Sequence, residues 1–104
     1  MVSVVKTGKP DGKGQYIWKS GASYVGEFKM GLKHGMGKWR KGKGNNVNQY
    51  EGAYENDKKH GNGIFTWASG NVYKGSYVND EREGEGEMRW TDGSVYIGQW
   101  MRGI

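Results

Sequence analysis

The sequence predicts an all-β repeat protein: a curved, elongated, single-layer antiparallel β-meander built from four β-hairpin repeats of 23 residues. Two recurrences of short glycine motifs predict this solenoid-like fold. Gly-x-Gly pairs start at Gly12, Gly35, Gly61 and Gly84, with separations of 23, 26 and 23 residues. Tyr-x-Gly pairs start at Tyr24, Tyr50, Tyr73 and Tyr96, with separations of 26, 23 and 23 residues. Self-similarity at a fixed period is the signature of repeat architectures.

The composition excludes several other classes of protein. Of the 104 residues, 20 are Gly, one is Pro, 14 are aromatic and none is Cys. Glycine costs about 1 kcal/mol relative to Ala inside a helix, so long helices are not expected. Disordered chains are poor in aromatic residues, so this chain is expected to fold. The absence of Cys excludes disulfides and thiolate metal sites, and no apolar run reaches the roughly 18 residues of a membrane-spanning helix.

The N-terminal segment 1–11 is expected to form a capping strand ahead of the first full repeat. Extending the repeat backwards places Met1, Ser3 and Val5 where other copies carry Tyr, Gly and an aromatic residue. The sequence therefore predicts a single domain over 1–104. Within it, the repeats are expected at about 12–34, 35–60, 61–83 and 84–104.

Each repeat is expected to contain a hairpin turn followed by a second chain reversal. The hairpin turns are predicted at Ser20-Gly21, Ser69-Gly70 and Asp92-Gly93. The second reversals are predicted at Met30-Gly31, Asn56-Asp57 and Asn79-Asp80, since Gly, Asn and Asp tolerate positive φ. The second repeat carries three additional residues before Tyr50, and Lys41 stands where the other copies have Trp. Its hairpin loop is therefore expected to be irregular.

The two faces of the predicted sheet differ sharply in composition. Side chains alternate between the faces of a strand, and counting by parity places all 14 aromatic residues on one face, together with three of the four repeated glycines. We expect each ring to pack over a glycine, which has no Cβ atom. The opposite face is mixed and largely polar. Eight strands spaced by about 4.8 Å predict a body about 40 Å long.

These residues closely resemble the MORN (membrane occupation and recognition nexus) repeat. Its pattern is Tyr-x-Gly-x-aromatic, a short loop, Gly-x-Gly and then Gly-x-x-Tyr. The segment from Tyr73 to Tyr77, the pair Gly84/Gly86 and the segment from Gly93 to Tyr96 carry this pattern, and the resemblance covers about residues 12–102. It implies a non-catalytic scaffolding or attachment module. For the family it implies partner segments bound in an aromatic groove, and a proposed affinity for anionic phospholipids.

The clustering of rings on one face predicts an interaction module rather than an enzyme. We expect an apolar or helical segment of a protein partner to bind a concave groove lined by aromatic side chains. The expected groove residues are Trp18, Phe28, Trp67, Tyr77, Trp90 and Trp100. Open sheet edges template pairing with other chains, so a homodimer or a larger assembly is a further expectation.

A peripheral membrane module is the alternative hypothesis, because charge is unevenly distributed. Residues 1–44 contain ten Lys/Arg and two Asp/Glu, whereas residues 45–104 contain six and nine. The candidate ligands for anionic phospholipid or phosphoinositide headgroups are Lys38, Arg40, Lys41 and Lys43. Nucleic acid ranks well below both partners because no recognition module matches. The expected localisation is cytoplasmic, with peripheral attachment to a membrane or the cytoskeleton as an alternative.

No catalytic, cofactor or metal site is expected. His34 and His60 each precede a repeated Gly pair, and we interpret them as loop residues rather than as a general base or metal ligands. The Gly-Lys-Gly segments at 12–14 and 42–44 lack the spacing of a phosphate-binding loop. The alternating acids at Glu81, Glu83, Glu85 and Glu87 are interpreted as a solvated face.

Overall fold

A computed structural model describes the backbone of residues 3–4 and 10–102 and the side chains of residues 11–102. The strands are β1 (Ser3–Val4), β2 (Pro10–Ile17), β3 (Ser23–Lys29), β4 (Leu32–Lys43), β5 (Asn46–Glu55), β6 (Lys58–Thr66), β7 (Val72–Val78), β8 (Glu81–Arg89) and β9 (Val95–Trp100). They pair in sequence order, each antiparallel to the next. The described residues contain no helix, and the predicted all-β meander is confirmed.

The sheet is a single elongated layer, with principal extents of 49 × 30 × 16 Å. In β1, Ser3 pairs with Asp11 and Val4 pairs with Pro10. Most of the predicted capping strand over 1–11 lies outside the described residues, so the boundary of that strand stays a prediction. From β2 onwards the ladder is continuous through β9.

The chain reversals between repeats are two-residue turns in which both residues have positive φ. Met30 and Gly31 have φ values of 53° and 84°, and the equivalent Asn79 and Asp80 have values of 49° and 72°. Positive φ at both central positions is the geometry of the type I′ turn, whose twist matches that of the flanking strands. The predicted reversals at these dipeptides are confirmed.

The hairpins of the first, third and fourth repeats close through three-residue loops that end on a glycine. In the third repeat, the Gly70 amide donates to the Trp67 carbonyl at 2.9 Å, and the Trp67 amide donates to the Asn71 carbonyl at 2.9 Å. Gly70 has a φ of 100°. A glycine with positive φ at the end of a three-residue loop forms the bulge that completes this hairpin type.

The hairpin of the second repeat is regular, so the predicted irregular loop is wrong. Lys41 pairs with Asn48, Gly42 with Val47 and Lys43 with Asn46, so the additional residues lengthen the ladder and leave 44–45 as a two-residue turn. Gly42 and Gly44 have φ values of 137° and 60°, which explains how the chain extends the ladder at this point.

Each repeat bends where one strand carries two additional residues. Between the pairs Gly26–Gly37 and Phe28–Lys33, β3 has one intervening residue and β4 has three. The same register shift recurs between β5 and β6 and between β7 and β8. Gly35, in the middle of the β4 segment, has a φ of 68°. Such bulges increase local twist and bend the strand, which accounts for the predicted curl of the sheet.

The core is a continuous line of rings on one face. Its buried members are Tyr24, Phe28, Tyr50, Tyr54, Tyr73, Tyr77 and Met88, and Trp18, Trp39, Phe65, Trp67 and Trp100 pack against them. Tyr50 contacts Tyr54 of its own repeat at 5.1 Å and Tyr77 of the next at 5.4 Å between ring centroids. Both contacts are edge-to-face, the arrangement that the ring quadrupole favours. The expected aromatic face is confirmed, and its rings join neighbouring repeats.

Candidate interaction surfaces

The aromatic face carries one cation in each of three successive repeats. Lys33, Lys59 and Arg82 stand two residues before a Gly-x-Gly pair, directly opposite an aromatic residue in the register of the sheet. The Lys59 ammonium lies 5.7 Å from the ring centroids of Tyr50, Phe65 and Tyr77. The Arg82 guanidinium lies 4.8 Å from the centroid of Trp100. A cation at this distance is attracted by the negative face of a ring.

Aspartates from the turn of the following repeat complete two of these cation sites. The Lys59 Nζ atom is 3.3 Å from Asp80 Oδ1, and the Lys33 Nζ atom is 3.6 Å from Asp57 Oδ1. The same carboxylate oxygens accept the backbone amides of Lys59 and Lys33 at 2.8 Å. Each aspartate therefore links the turn of one repeat to the cation of the preceding repeat. The base that recurs two residues before Gly-x-Gly is the sequence signal of these cation sites.

The buried tyrosines hold their protons because burial disfavours the charged form. Tyr24, Tyr50 and Tyr73 are fully buried, and the hydroxyl of each donates to the carbonyl three residues later at 2.9 Å. Desolvation raises the pKa of Tyr24 to about 12, and it also raises the pKa values of Tyr50 and Tyr73. Burial therefore keeps each hydroxyl protonated, and the protonated hydroxyl is the donor in its bond.

The structure divides the predicted groove residues into buried and accessible rings. Phe28 and Tyr77 are core residues, with 6% and 4% of their surfaces exposed. Trp18, Trp67 and Trp100 are half-buried against the core, and Trp90 is 40% exposed. Phe28 and Tyr77 therefore form the base of the aromatic face, and the tryptophans form its accessible part. Binding of a partner by these residues stays a prediction.

Two adjacent clefts open on the aromatic face beside the tryptophans. One, of about 270 Å³, is lined by Phe65, Trp67, Tyr77 and Arg82 among others. The other, of about 330 Å³, is lined by Lys33, Trp39, Tyr54 and Phe65 among others. Lys59, Phe65 and Asp80 border both clefts, so the two sites are continuous along the array.

The predicted basic cluster lies on the β4–β5 hairpin, and its members do not share one face. Lys38, Arg40, Lys41 and Lys43 are all exposed. Lys38 and Arg40 flank Trp39, so they point to the face opposite the rings, whereas Lys41 follows the parity of Trp39. The two additional residue pairs carry the end of this hairpin beyond the positions where the other hairpins turn, by about 7 Å at the rise of a β-strand.

The face opposite the rings, which we call the second face, carries an open furrow of about 800 Å³. Gly52, Gly63, Gly75, Gly86 and Gly98 form its floor, and its walls include Met36, Glu51, Ile64, Lys74, Glu85, Glu87 and Ile97. These glycines have the parity of the aromatic face, so the furrow exposes only their backbone between two rows of second-face side chains. The sequence by itself predicts only a mixed, largely polar surface here. The sequence signal for this surface is the set of residues of the parity opposite to the rings, compared from one repeat to the next.

The histidines show no arrangement suited to a metal ion. Among the described residues, no group of three or more His, Asp or Glu side chains is placed to hold one. His60 lies 3.5 Å from Glu55 and accepts the Asn79 amide at 3.4 Å through Nδ1.

For the part of the chain that the structure covers, no helix has the length and hydropathy needed to cross a bilayer.

Comparison with known proteins agrees with the repeat geometry. The family model of the MORN repeat matches residues 6–23, 24–46, 50–72, 73–95 and 96–104. The four matched segments from 24 onwards start 26, 23 and 23 residues apart, as the Tyr-x-Gly pairs do, so each begins at a tyrosine instead of Gly-x-Gly. The boundaries at about 12–34, 35–60, 61–83 and 84–104 stay a prediction. Repeats of this family are non-enzymatic modules that mediate protein or membrane interactions.

Several curated proteins are similar to part of the chain. Alsin of Homo sapiens is 37% identical over 68 residues, which are 64% of this chain and 4% of that protein. Alsin of Mus musculus is 38% identical over 68 residues, with the same coverage. MORN repeat-containing protein 3 of Xenopus laevis is 37% identical over 62 residues, 56% of this chain and 26% of that protein. The chain thus spans a small part of these relatives. With family matches along nearly its whole length and four hairpins of the expected pattern, the chain belongs to the MORN repeat family.

Proposed function

We propose that this chain is a non-catalytic interaction module that binds a segment of a partner protein on its aromatic face. The observation that supports it is the pair of continuous clefts beside the half-buried tryptophans. Tryptophan is enriched among the residues that dominate binding energy at protein interfaces. The core rings fix the positions of these tryptophans, so little conformational entropy is lost when a partner binds them.

The spacing of the clefts suits an amphipathic segment. They lie one repeat apart, which is two strands or about 10 Å, close to the roughly 10.5 Å that separates residues i and i+7 of a helix. One apolar side chain of the segment would enter each cleft. Lys59 and Arg82, with Asp80 and Glu81 beside them, offer polar contacts at the rim of the cleft nearer Trp67.

A displayed library of segments of about 20 residues tests this proposal, since such a length spans both clefts. Segments selected for binding to the parent chain are expected to bind the Trp67→Ala variant at least about tenfold more weakly. Fluorescence anisotropy measures both affinities. Ile97→Ala on the second face is the matched control, because Ile97 is 72% exposed. Enriched segments that bind the Trp67 variant as tightly as the parent would show that the aromatic face is not the binding surface.

Binding of anionic phospholipids is a second candidate function, supported by the extended β4–β5 hairpin. Lys43 lies on the part of the hairpin that extends beyond the neighbouring loops and Lys41 lies at its base, so a planar surface can approach these two cations from the hairpin end. Each base near an anionic membrane contributes about 1 kcal/mol. Flotation with phosphatidylserine or phosphoinositide vesicles is expected to fall with salt and to be lost in the quadruple alanine variant of Lys38, Arg40, Lys41 and Lys43. Flotation unchanged in that variant would exclude this site.

A further inference from the structure

Seven side chains form one continuous row across the second face. Direct register pairs join each residue to the next through strands β3 to β9. In order, this central row is Val25, Lys38, Glu51, Ile64, Lys74, Glu87 and Ile97. At about 4.8 Å per strand the row is about 29 Å long, and Ile64 on β6 is its midpoint.

The central row is complementary to its own reverse. When a reversed copy is laid against it, Val25 meets Ile97, Lys38 meets Glu87 and Glu51 meets Lys74. Ile64 meets Ile64. Every position in the row thus faces either an apolar side chain or the opposite charge, and the two charge pairs occur twice by symmetry.

We propose that the second face binds a second copy of this chain about a two-fold axis that runs along β6 through Ile64. A two-fold axis in the plane between two sheets turns the second face of one copy towards that of the other. When the axis is parallel to the strands, it reverses the strand order and retains the position along each strand. That operation produces the reversed row, and a self-complementary patch is what an isologous dimer requires.

The side chains of the central row are available for such a contact. Val25, Ile64 and Ile97 are 52%, 40% and 72% exposed. Lys38, Glu51 and Lys74 are exposed, and Glu87 is half-buried in an ion pair with Arg89. The glycine-floored furrow beside the row leaves room for the side chains of the second copy.

The area and one like-charge contact indicate a weak, reversible dimer. The face from β3 to β9 measures about 29 Å by about 20 Å, or about 1,200 Å² in total for two copies, at the lower end for a specific interface. In the neighbouring row, which runs through Arg40 and Arg89, the axis brings Arg40 opposite Arg89 of the second copy. Glu87 already partners Arg89, which reduces this repulsion.

Sedimentation velocity of the full chain over about 10 to 500 µM tests the proposal, because this range covers weak dissociation constants. We expect a concentration-dependent monomer–dimer equilibrium. Ile64→Lys places two ammonium groups together at the axis and should yield a monomer throughout. Lys38→Glu should raise the dissociation constant about tenfold or more, and Lys38→Glu/Glu87→Lys should recover most of the loss.

The control is Trp90→Lys, because Trp90 has the same 40% exposure as Ile64 but lies on the aromatic face. It should dimerise like the parent, and circular dichroism should show that every variant remains folded. A parent that is monomeric at the highest concentration would overturn the proposal. So would a dimer that persists in Ile64→Lys, which would indicate pairing of sheet edges, or a double charge variant that is no tighter than Lys38→Glu. Segment binding to the aromatic face is measured separately, so either proposal can fail alone.

Discussion

The ring of Tyr73 lies against Gly86 so closely that a Cβ atom at this glycine would overlap the ring and its hydroxyl oxygen. The same relationship joins Tyr50 with Gly63 and Tyr24 with Gly37. In these three Gly-x-Gly pairs, the second glycine therefore forms the floor on which a buried tyrosine of the preceding strand packs. This contact, repeated along the array, converts a glycine-rich sequence into a packed aromatic core.

Gly75 and Gly98, the glycines of two Tyr-x-Gly pairs, should differ in their sensitivity to substitution. A Cβ atom on Gly75 would lie 2.5 Å from the Gly86 Cα atom and 2.6 Å from the Glu85 carbonyl oxygen, whereas one on Gly98 would meet first the Tyr96 hydroxyl at 2.7 Å. Backbone atoms cannot move aside, but Tyr96 is 42% exposed and its ring can rotate away. Gly75→Ala is expected to lower the free energy of unfolding by about 3 kcal/mol or more, and Gly98→Ala by about 1 kcal/mol.

Urea denaturation monitored by tryptophan fluorescence measures this ranking. Gly75→Val and Gly98→Val should be more harmful than the corresponding Ala variants, and Gly75→Val is expected to unfold the array. Lys13→Ala is the control, since Lys13 is exposed and should leave stability nearly unchanged. Equal midpoints for Gly75→Val and the parent would contradict the packing of rings over glycine.

Stability should fall with rising pH above pH 10. The pKa of an unburied tyrosine is 10.0, and burial raises that of Tyr24 to about 12. Between these values the unfolded chain has released the proton and the folded chain retains it. The folding free energy from each such tyrosine is therefore complete below pH 10 and is lost as pH rises towards 12, at about 1.4 kcal/mol per pH unit.

Alkaline titration followed by tyrosinate absorbance and circular dichroism checks this prediction. Ionisation of the buried tyrosines should coincide with loss of β-structure in one cooperative step. Tyr50, Tyr54 and Tyr77, whose pKa values burial also raises, should contribute to the same step. Complete ionisation of all tyrosines with unchanged circular dichroism would contradict the buried donor bonds.

Much of the fold could be predicted from the sequence because the spacing of Gly and Tyr gives the repeat period and the face on which the rings lie. The predicted reversal at Asn79-Asp80 brings Tyr73 and Gly86 onto neighbouring strands, and parity places both on one face. The burial of Tyr77 could not be predicted in the same way, since it depends on Tyr50 of the preceding repeat closing over it at 5.4 Å. Parity predicts the face on which a side chain lies, but it does not predict how many neighbours cover that side chain.

The extended hairpin and the second face were harder to predict for a different reason. Three additional residues between repeated glycines look like an interruption of the pattern, yet Gly42 adopts a backbone geometry that continues the ladder. Opposite-face residues such as Lys38 and Glu87 differ from repeat to repeat. Their order across the strands becomes visible only when the register is known.

Removing the charge of Lys59 should destabilise the junction between repeats. Lys59→Met keeps most of the aliphatic stem but removes the ion pair with Asp80 and the attraction of three rings. We expect the free energy of unfolding to fall by about 1–2 kcal/mol. Lys58→Met, at the exposed neighbouring position, is the control and should have little effect. A double-mutant cycle with Asp80→Asn separates the ion pair from the ring contacts, and zero loss in Lys59→Met would contradict both.

Shortening the second hairpin should preserve the fold. Residues 42–47 can be replaced by the three-residue loop Ala68-Ser69-Gly70 of the third repeat, because Lys41 and Asn48 occupy the positions that Trp67 and Asn71 hold there. Of the residues removed only Val47 is half-buried, the others being exposed, and Asn48 accepts the amide of the residue after Trp67 at 2.7 Å. We expect the free energy of unfolding to change by less than about 1 kcal/mol. Thermal denaturation measures this change, and an unfolded product would show that the extension is a structural element of the array. A folded product with reduced flotation on anionic vesicles would instead assign the extension to the membrane-binding function.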